Sequence, residues 1–398
     1  MQKQITSTLL VAGMCIGGGT IAIPMVLAKL GIVPSAIIAL LVWFLNYYPS
    51  LAGMDLNLRA ERGLSLGSLG KLFSGHGAQI AGELSVKILS YAALTMYLCG
   101  SSSILQKLLE VYFQCEIPIA AIESAIAALG VILLFFPFKI VSSVNNVMFV
   151  GFVIIFAILL GVMLKFTDFG NMPWIVKPTF KDALSVCPVI FASFGYQLVL
   201  HTLRDYNGRN ATSIKRSIFV GSFMPALVYI GWPAIALNVI FNSNPEFFAQ
   251  LVAGKIEVGE FVKELANISS FSYFHILVWW MSILAILTSY VGVGVGLAES
   301  MNITFETKIK STPVRKFAAS LATIAPAYII AVMYPDAFIK ILGFAGAMVA
   351  TIGTLIPTYL IFKAGIEKGY YKELKKWPLL VCVAGALCII LAEFFINN

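Results

Sequence analysis

Charged residues are scarce in this chain. Only 12% of its 398 residues are charged, against about 25% in a typical soluble domain, and 59% are hydrophobic. The mean hydropathy is +0.91. This composition excludes a soluble globular protein and predicts an all-α, polytopic integral membrane protein whose surroundings are a lipid bilayer.

Paired cysteines, histidine clusters and nucleotide-binding loops are also missing from the sequence. The six cysteines form no C-x-x-C pair and mostly stand in apolar runs, which predicts packing rather than a disulfide framework or a metal site. Only three histidines occur, without an H-E-x-x-H or G-x-S-x-G motif, and the glycines at 292–296 lie in an apolar run. The sequence therefore predicts neither an enzyme nor an ATP-driven pump, and no cofactor.

Long apolar runs, by contrast, fill most of the chain. A helix needs about 20 apolar residues to cross the hydrocarbon core of a bilayer. Hydropathy predicts eleven transmembrane helices, at residues 5–29, 33–57, 82–106, 117–136, 144–165, 183–203, 215–240, 274–298, 315–334, 338–362 and 377–396.

Basic residues are unevenly distributed between alternate loops. With the N-terminus in the cytoplasm, all six arginines and most loop lysines fall on the cytoplasmic side. The positive-inside rule then predicts a cytoplasmic N-terminus and, with eleven spans, a periplasmic C-terminus. This asymmetry accounts for the net charge of +8, so no nucleic acid partner is expected.

The longest outer loop carries a helical pattern of its own. Apolar residues recur at helical spacing within residues 241–273, among charged and polar ones. We expect a short amphipathic helix there, lying over the outer mouth of the protein.

The first and sixth spans each carry helix breakers near their midpoints. Gly17, Gly18 and Gly19 stand together in span one, and each weakens a helix by roughly 1 kcal/mol relative to alanine. Pro188 and Gly195 interrupt span six. A small-residue face for close helix packing is the other explanation for the glycines.

Interrupted helices five spans apart indicate an inverted repeat. Because five is odd, two consecutive five-span units have opposite topology, and broken helices at matching positions indicate a transporter site. We expect one repeat at residues 1–165, a second at 183–362 and an extra helix at 377–396. Half-helix termini attract an anion at one end and a cation at the other, which suits a zwitterionic amino acid.

Polar side chains in other spans are further candidates. Tyr91 and Thr95 share one face of span three, where their hydroxyls have either substrate or a neighbouring helix as partner. Glu83 and Lys87, four residues apart, predict an ion pair that also suits an inner gate. His201, near the inner end of span six, is either a proton relay or a structural residue.

Four segments resemble a known bacterial family. They are Ala-Gly-x-x-Ile-Gly-Gly-Gly-Thr-x-Ala-x-Pro at 12–24, Gly-Leu through Gly-Lys at 63–71, Pro-Val-Ile-Phe-Ala-Ser-Phe-Gly-Tyr at 188–196 and Gly-Ser-Phe-Met-Pro at 221–225. They are similar to the hydroxy/aromatic amino acid permeases, the tyrosine- and tryptophan-specific group. The resemblance implies the leucine-transporter-like fold of the amino acid–polyamine–organocation superfamily, with ten helices in inverted repeat plus an eleventh. It also implies proton-coupled uptake across the bacterial inner membrane.

Within that family tyrosine is the substrate we favour. Gln197 and His201, which follow the span-six motif, depart from the tyrosine permeases. Tryptophan and phenylalanine therefore stay open as substrates.

The resemblance also implies a set of substrate-binding residues. The backbone of span one would receive the substrate carboxylate, and carbonyls of span six would face its ammonium. Aromatic side chains at the second break would wall an aromatic substrate ring. The candidates are Met14, Gly17, Gly18 and Gly19 in span one, Tyr91 and Thr95 in span three, and Phe191, Ala192, Ser193, Phe194, Tyr196 and Gln197 in span six.

Sodium-coupled transporters of this fold hold their ion with a Thr-Ser pair in span eight and carbonyls of span one. The matching residues here would be Thr288, Ser289, Ala285, Ala12 and Cys15. Alternatively, both hydroxyls bond back to the carbonyl four residues earlier. Some proton-coupled relatives hold a span-five lysine at this position. Span five here has only a lysine at its outer end, so sodium coupling stays open and no other metal site is expected.

These patterns together predict a secondary active transporter that imports aromatic amino acids by cation symport, with a proton favoured over sodium. Alternating access would move a bundle of spans one, two, six and seven against a scaffold of spans three, four, eight and nine. A passive channel of the same fold is the alternative, and accumulation against a gradient separates the two. The oligomeric state is not predicted.

Overall fold

The structure is a computed structural model that describes residues 2–268 and 273–397. Within these ranges every regular element is helical. In chain order the helices are α1 (Gln2–Cys15), α2 (Gly19–Leu27), α3 (Ile32–Arg59), α4 (Leu66–Ser74), α5 (His76–Phe113), α6 (Ile119–Phe135), α7 (Phe138–Met163), α8 (Phe180–Ala192), α9 (Leu200–Asn207), α10 (Ala211–Ser243), α11 (Pro245–Val252), α12 (Val258–Asn267), α13 (Phe274–Phe305), α14 (Thr312–Met333), α15 (Phe338–Ala350), α16 (Ile356–Ala364) and α17 (Lys376–Ile396).

Ten spans have the length and hydropathy that a membrane crossing needs. Among the described residues, nine helical stretches are long and apolar enough, and α1 with α2 forms a bent tenth. The predicted fourth span corresponds to α6, which has 17 residues where about 20 cross a bilayer. The chain is thus a multi-pass α-helical membrane protein, and the predicted count of eleven spans depends on α6.

Both helix breaks predicted from glycine and proline are present. α1 ends at Cys15 and α2 begins at Gly19, with a bend of 54° between the two helices. α8 ends at Ala192, one turn after Pro188, and α9 begins at Leu200 after a single 3₁₀ turn. Both spans therefore leave backbone groups outside the helical hydrogen-bond ladder in the middle of the bundle.

α15 supports the first half of span six. A Cβ added at Gly346 would lie 1.9 Å from the carbonyl oxygen of Pro188, so α15 packs backbone to backbone against α8. A π-helical turn at Thr351–Leu355 follows α15, and within it Gly353 lies against Gln197. α17 packs on both α8 and α15. α8 and α15 are therefore in direct backbone contact.

A buried ion pair lies at the face at which α1 begins, here called the amino-terminal face. In α3, a guanidinium nitrogen of Arg59 lies 2.6 Å from Oδ2 of Asp55, and Asp55 is fully buried. The Asp55 carboxylate accepts the backbone N–H groups of residues 370–371, and the Arg59 guanidinium donates to the carbonyls of residues 364–365. We call this network the Asp55 clamp. Arg204 of α9 adds a second link by donating to two carbonyls just after α3.

The opposite face is open. A cavity of about 620 Å³, here called the vestibule, enters between α2, α5, α8, α15 and the loop that joins α11 to α12. Its charged and polar wall includes Lys29, Cys99, Lys181, Asp182, Glu257 and Asp336. The vestibule and the Asp55 clamp therefore lie on opposite faces of the molecule.

The amphipathic helix predicted for the long outer loop is present as two helices, α11 and α12. Asn244 caps α11 by accepting the N–H of Phe247. The N–H of Gly259 donates to Ser103 Oγ at 3.1 Å, which fixes α12 against α5. The connection between the two helices forms one wall of the vestibule.

Candidate functional site

The glycines of the first break lie against side chains from two other spans. A Cβ added at Gly17 would lie 2.4 Å from Ser289 Oγ of α13, and one at Gly18 would lie 2.8 Å from a ring carbon of Tyr97 in α5. The N–H of Gly18 donates to Ser289 Oγ at 3.4 Å. Glycine is required here because a side chain would push away the residues that surround the freed backbone.

The two breaks meet at Gly19 and Ser193. A Cβ added at Gly19 would lie 2.4 Å from Ser193 Oγ, which itself donates to the carbonyl of Val189. The end of α8 and the beginning of α2 are thus in contact. The C-terminus of one half-helix and the N-terminus of another therefore lie side by side.

Tyr229 of α10 joins the two breaks directly. Its hydroxyl lies 2.5 Å from the carbonyl oxygen of Cys15 and 3.3 Å from that of Ser193, so it serves the last carbonyls of both half-helices. The ring packs edge-on against Phe194 at 5.4 Å. Tyr229 is fully buried, and its hydroxyl contacts both breaks.

Trp232, one turn after Tyr229, makes a similar contact. Its indole N–H donates to the carbonyl oxygen of Thr20 at 2.7 Å, just inside α2. Sequence reasoning did not single out either residue. The available signal was a pair of aromatics with polar tips, three residues apart in the middle of a span.

The aromatic candidates of span six are held by packing. Phe194 and Tyr196 are fully buried. The Tyr196 hydroxyl donates to Ser50 Oγ of α3 at 3.1 Å. Gln197 donates from Nε2 to Asn46 Oδ1, also on α3, at 2.9 Å. These contacts fix the chain after the break against α3.

The remaining backbone candidates differ in exposure. Met14 is 37% exposed, whereas the three glycines that follow it are buried. Phe191 is fully buried, and its carbonyl accepts the N–H of Phe194 at 3.2 Å. Ala192 is half-buried at the end of α8.

The two span-three candidates have partners within the protein. The Tyr91 hydroxyl donates to the carbonyl oxygen of Ala322 in α14 at 2.9 Å, and Thr95 Oγ1 donates back to the carbonyl of Tyr91. This geometry corresponds to hydrogen bonding within and between helices. Tyr97, two residues further, is the span-three side chain that reaches the first break.

Of the five residues considered for sodium, Ala12 and Cys15 precede the first break and Ala285 and Ser289 lie close to Gly17. Most of the oxygens of the set have partners. The Ala12 carbonyl accepts from Ile16, and that of Cys15 accepts from the hydroxyl described above. Thr288 donates to Leu284, and Ser289 donates to Ala285. Both span-eight hydroxyls thus bond back by four residues. In the described ranges no group of three His, Cys, Asp or Glu side chains is arranged to hold a metal.

The ion pair predicted between Glu83 and Lys87 is absent from the described structure. Glu83 Oε1 instead accepts from Gln79 Nε2 at 3.0 Å, and Glu83 is exposed on α5 near the amino-terminal face. The helical spacing was right, but a closer amide on the preceding turn takes the carboxylate.

His201 lines a small cavity on the amino-terminal side of the second break. The cavity measures about 120 Å³ and is lined by residues of α3, α4, the π-helical turn, the 3₁₀ turn before α9 and the start of α16, among them Gly53, Gln197 and Pro357. His201 is half-buried at the start of α9. It therefore belongs to the second half of the broken span.

Comparison with known proteins gives consistent results over the whole chain. The model of the tryptophan/tyrosine permease family matches residues 1–396. Tyrosine-specific transport system 1 of Haemophilus influenzae is 29% identical over 92% of this chain and 89% of its own length. A tryptophan-specific transport protein of Pseudomonas aeruginosa is 24% identical over 97% of this chain and 94% of its own length. The tyrosine permease of Enterobacter agglomerans is 21% identical over 90% of this chain and 86% of its own length.

Proposed function

This chain belongs to the tryptophan/tyrosine permease family, and we propose that it imports aromatic amino acids, tyrosine first among them, by proton symport. The two relatives named for tyrosine and the one named for tryptophan support this substrate class. Tryptophan and phenylalanine are the alternative substrates. The protein acts in the bacterial inner membrane.

The observation that carries the proposal is the meeting of two broken helices in the middle of the bundle. α2 begins at Gly19, and α8 ends at Ala192 beside Ser193, whose carbonyl accepts from the Tyr229 hydroxyl. These termini carry opposite partial charges, which match the carboxylate and ammonium of an amino acid. The substrate carboxylate binds at Met14 and Gly17–Gly19, and its ammonium faces the carbonyls of residues 191–193.

The aromatic side chain of the substrate then lies among rings at the breaks. Phe194 and Tyr196 wall the site from span six, with Gln197 beside them, and Tyr91 and Thr95 support it from span three. Tyr97 joins this set because it lies against Gly18. Rigid aromatic walls select a flat aromatic ring over an aliphatic side chain.

Proton coupling is favoured over sodium coupling. The sodium alternative uses Thr288 and Ser289 with the carbonyls of Ala12, Cys15 and Ala285. The hydrogen bonds that those hydroxyls make within α13 weigh against it. His201 is a candidate relay on the amino-terminal side of the site, and Glu83 with Lys87 lies near the same face.

The transport cycle follows alternating access. We take the amino-terminal face as cytoplasmic, so that the open vestibule faces the periplasm and the Asp55 clamp closes the cytoplasmic side. Eleven spans, with α6 as the fourth, form two inverted repeats of five and an extra helix that ends in the periplasm. The repeats are residues 1–165 and 183–362, followed by 377–396.

The test is uptake of labelled tyrosine into proteoliposomes under separate inward proton and sodium gradients. We expect accumulation with protons alone, and Gly18→Leu should abolish it because its side chain meets Tyr97. Gly292→Leu is the matched control, since a Cβ at Gly292 meets nothing within 4 Å. Accumulation with sodium alone would mean that sodium is the coupling ion and that it binds at Thr288 and Ser289 of α13. Equilibration without accumulation means a passive channel, and full activity of Gly18→Leu refutes the site.

A further inference from the structure

Glu123 is a buried carboxyl group without a partner. It lies in the second turn of α6 and has no exposed surface. Within the described part of the chain, neither of its carboxylate oxygens has a hydrogen-bond partner or a cation within ion-pair distance. Its neighbour Ser124, by contrast, bonds to both Ala120 and Tyr328. The transport site described above makes no use of Glu123.

An ionised carboxylate is not stable in such a place. A buried charge costs several kcal/mol unless it is paired or hydrogen-bonded, and the group takes up a proton instead. The protonated acid is neutral and is tolerated among apolar neighbours. Polar and ionisable residues inside membrane proteins that lack a structural partner mark ion or proton pathways.

The surroundings of Glu123 connect it to the vestibule. Cys99 of α5 and Asp336, in the loop before α15, are close enough to interact electrostatically with it. Both residues line the vestibule wall. Asp336 is exposed and Cys99 is buried, so water in the vestibule reaches the Asp336 carboxylate.

The other helices that pack on α6 supply no positive charge at this level. They are α7, α13 and α14. α13 contributes the buried Tyr290, which lies against Gly130, and α14 contributes Tyr328, which bonds to Ser124. α7 has no charged residue between Lys139 and Lys165. Among the described residues, the Cys99 thiol and the Asp336 carboxylate are thus the groups that interact electrostatically with Glu123.

We propose that Glu123 is the proton-binding residue of transport, loaded from the vestibule beside Cys99 and Asp336. This assignment rests on the proposed function as a proton symporter. A proton leaves water in the vestibule and forms an O–H bond at a carboxylate oxygen of Glu123. Later the same bond breaks and the proton passes to water on the cytoplasmic side.

The fold provides a way to couple this proton to movement. α15 follows Asp336 directly and is locked backbone to backbone to α8, which carries the second break. When α8 moves to close the vestibule, α15 carries Asp336 towards Glu123. Two carboxyl groups in one small space hold at most one charge, so closure requires a proton on Glu123.

The experiment compares purified wild type, Glu123→Gln and Glu393→Gln in proteoliposomes. Glu393 is a second buried membrane carboxyl, but its Oε2 accepts from Asn397 at 2.8 Å, so it serves as the matched control. Each protein is tested for tyrosine accumulation driven by a pH gradient of about one unit and for tyrosine counterflow without a gradient. For one proton per tyrosine the gradient allows about tenfold accumulation, because one pH unit is a factor of ten in proton activity.

We expect Glu123→Gln to retain counterflow and to lose accumulation, with the internal and external tyrosine concentrations equal. Glu393→Gln should accumulate tyrosine as the wild type does. Accumulation by Glu123→Gln at the wild-type level overturns the assignment and leaves the symporter intact. Loss of counterflow as well as accumulation also overturns it, because Glu123 is then a structural residue. If the wild type shows tyrosine counterflow but no accumulation under the proton gradient, the proposed proton coupling itself is refuted.

A spectroscopic measurement provides an independent readout. Infrared difference spectra of the wild type at neutral pH, with and without tyrosine, should contain the C=O stretch of a protonated carboxyl that disappears in Glu123→Gln. A band unchanged by this substitution would show that the proton resides elsewhere.

Discussion

The hydroxyl of Tyr229 offers the sharpest test of how the two helix breaks are held together. The perturbation is Tyr229→Phe, which removes one oxygen and keeps the ring that packs on Phe194. The carbonyls of Cys15 and Ser193 then lose their shared donor. Both lie at helix ends, where the intrahelical ladder supplies no replacement.

The size of the effect follows from the loss of one donor. The Tyr229 hydroxyl has a single proton that the two carbonyls share, and a side-chain hydrogen bond between membrane helices is worth about 0.6 kcal/mol on average. The loss rises towards about 3 kcal/mol if a buried carbonyl is left without any partner. We therefore expect Tyr229→Phe to lower the free energy of unfolding by about 0.6–3 kcal/mol and to reduce tyrosine uptake.

Tyr290→Phe is the control for this experiment. Tyr290 is also a buried tyrosine in a membrane helix, but within the described residues its hydroxyl has no hydrogen-bond partner. Removing it should change the free energy of unfolding by no more than about 0.5 kcal/mol. The assay is unfolding in mixed micelles by titration with a denaturing detergent. An equal loss in the two variants would refute the role given to Tyr229.

Two further predictions concern the first break and the closed face. Gly17→Ala should lower thermal stability because its Cβ would lie 2.4 Å from Ser289 Oγ. The double variant Gly17→Ala with Ser289→Ala should regain most of the lost stability, since the next nearest side-chain atom is 3.7 Å away. Gly296→Ala, which meets nothing within 4 Å, should have no effect. The hydrogen bond from Lys215 lowers the pKa of Glu373. The ion pair of Lys215 and Glu373 therefore contributes its full stabilisation above pH 4.5, the ordinary pKa of a glutamate. That contribution is lost as the pH falls through the lowered pKa. Thermal stability of wild type and Glu373→Gln should differ slightly at neutral pH and converge in acid, because the pair is partly exposed.

The helix breaks were predictable because their cause is local. Span one contains three consecutive glycines, and span six contains Pro188 and, seven residues later, Gly195. Such residues weaken a helix whatever surrounds it. The structure confirms both interruptions. The multi-pass helical fold was predictable because its cause is local too: the hydropathy of a segment depends only on the residues of that segment.

The contacts that organise the site were not predictable because their partners are distant in sequence. Tyr229 lies 214 residues from Cys15, and no periodicity in α10 indicates which carbonyls its hydroxyl will meet. Local rules also failed where two partners compete. The four-residue spacing of Glu83 and Lys87 favours an ion pair, but Gln79, four residues on the other side, takes the carboxylate.

The Asp55 clamp has a consequence for how the protein is made. Asp55 is separated from Tyr370 by 315 positions, so α3 is synthesised long before the segment that surrounds its ion pair. Until then Asp55 and Arg59 compensate only each other's charge, and the four backbone groups at 364–365 and 370–371 do not yet exist. The first half of the chain is therefore synthesised before the partners of this ion pair exist. The contacts that enclose it are completed only by the segment at 364–371.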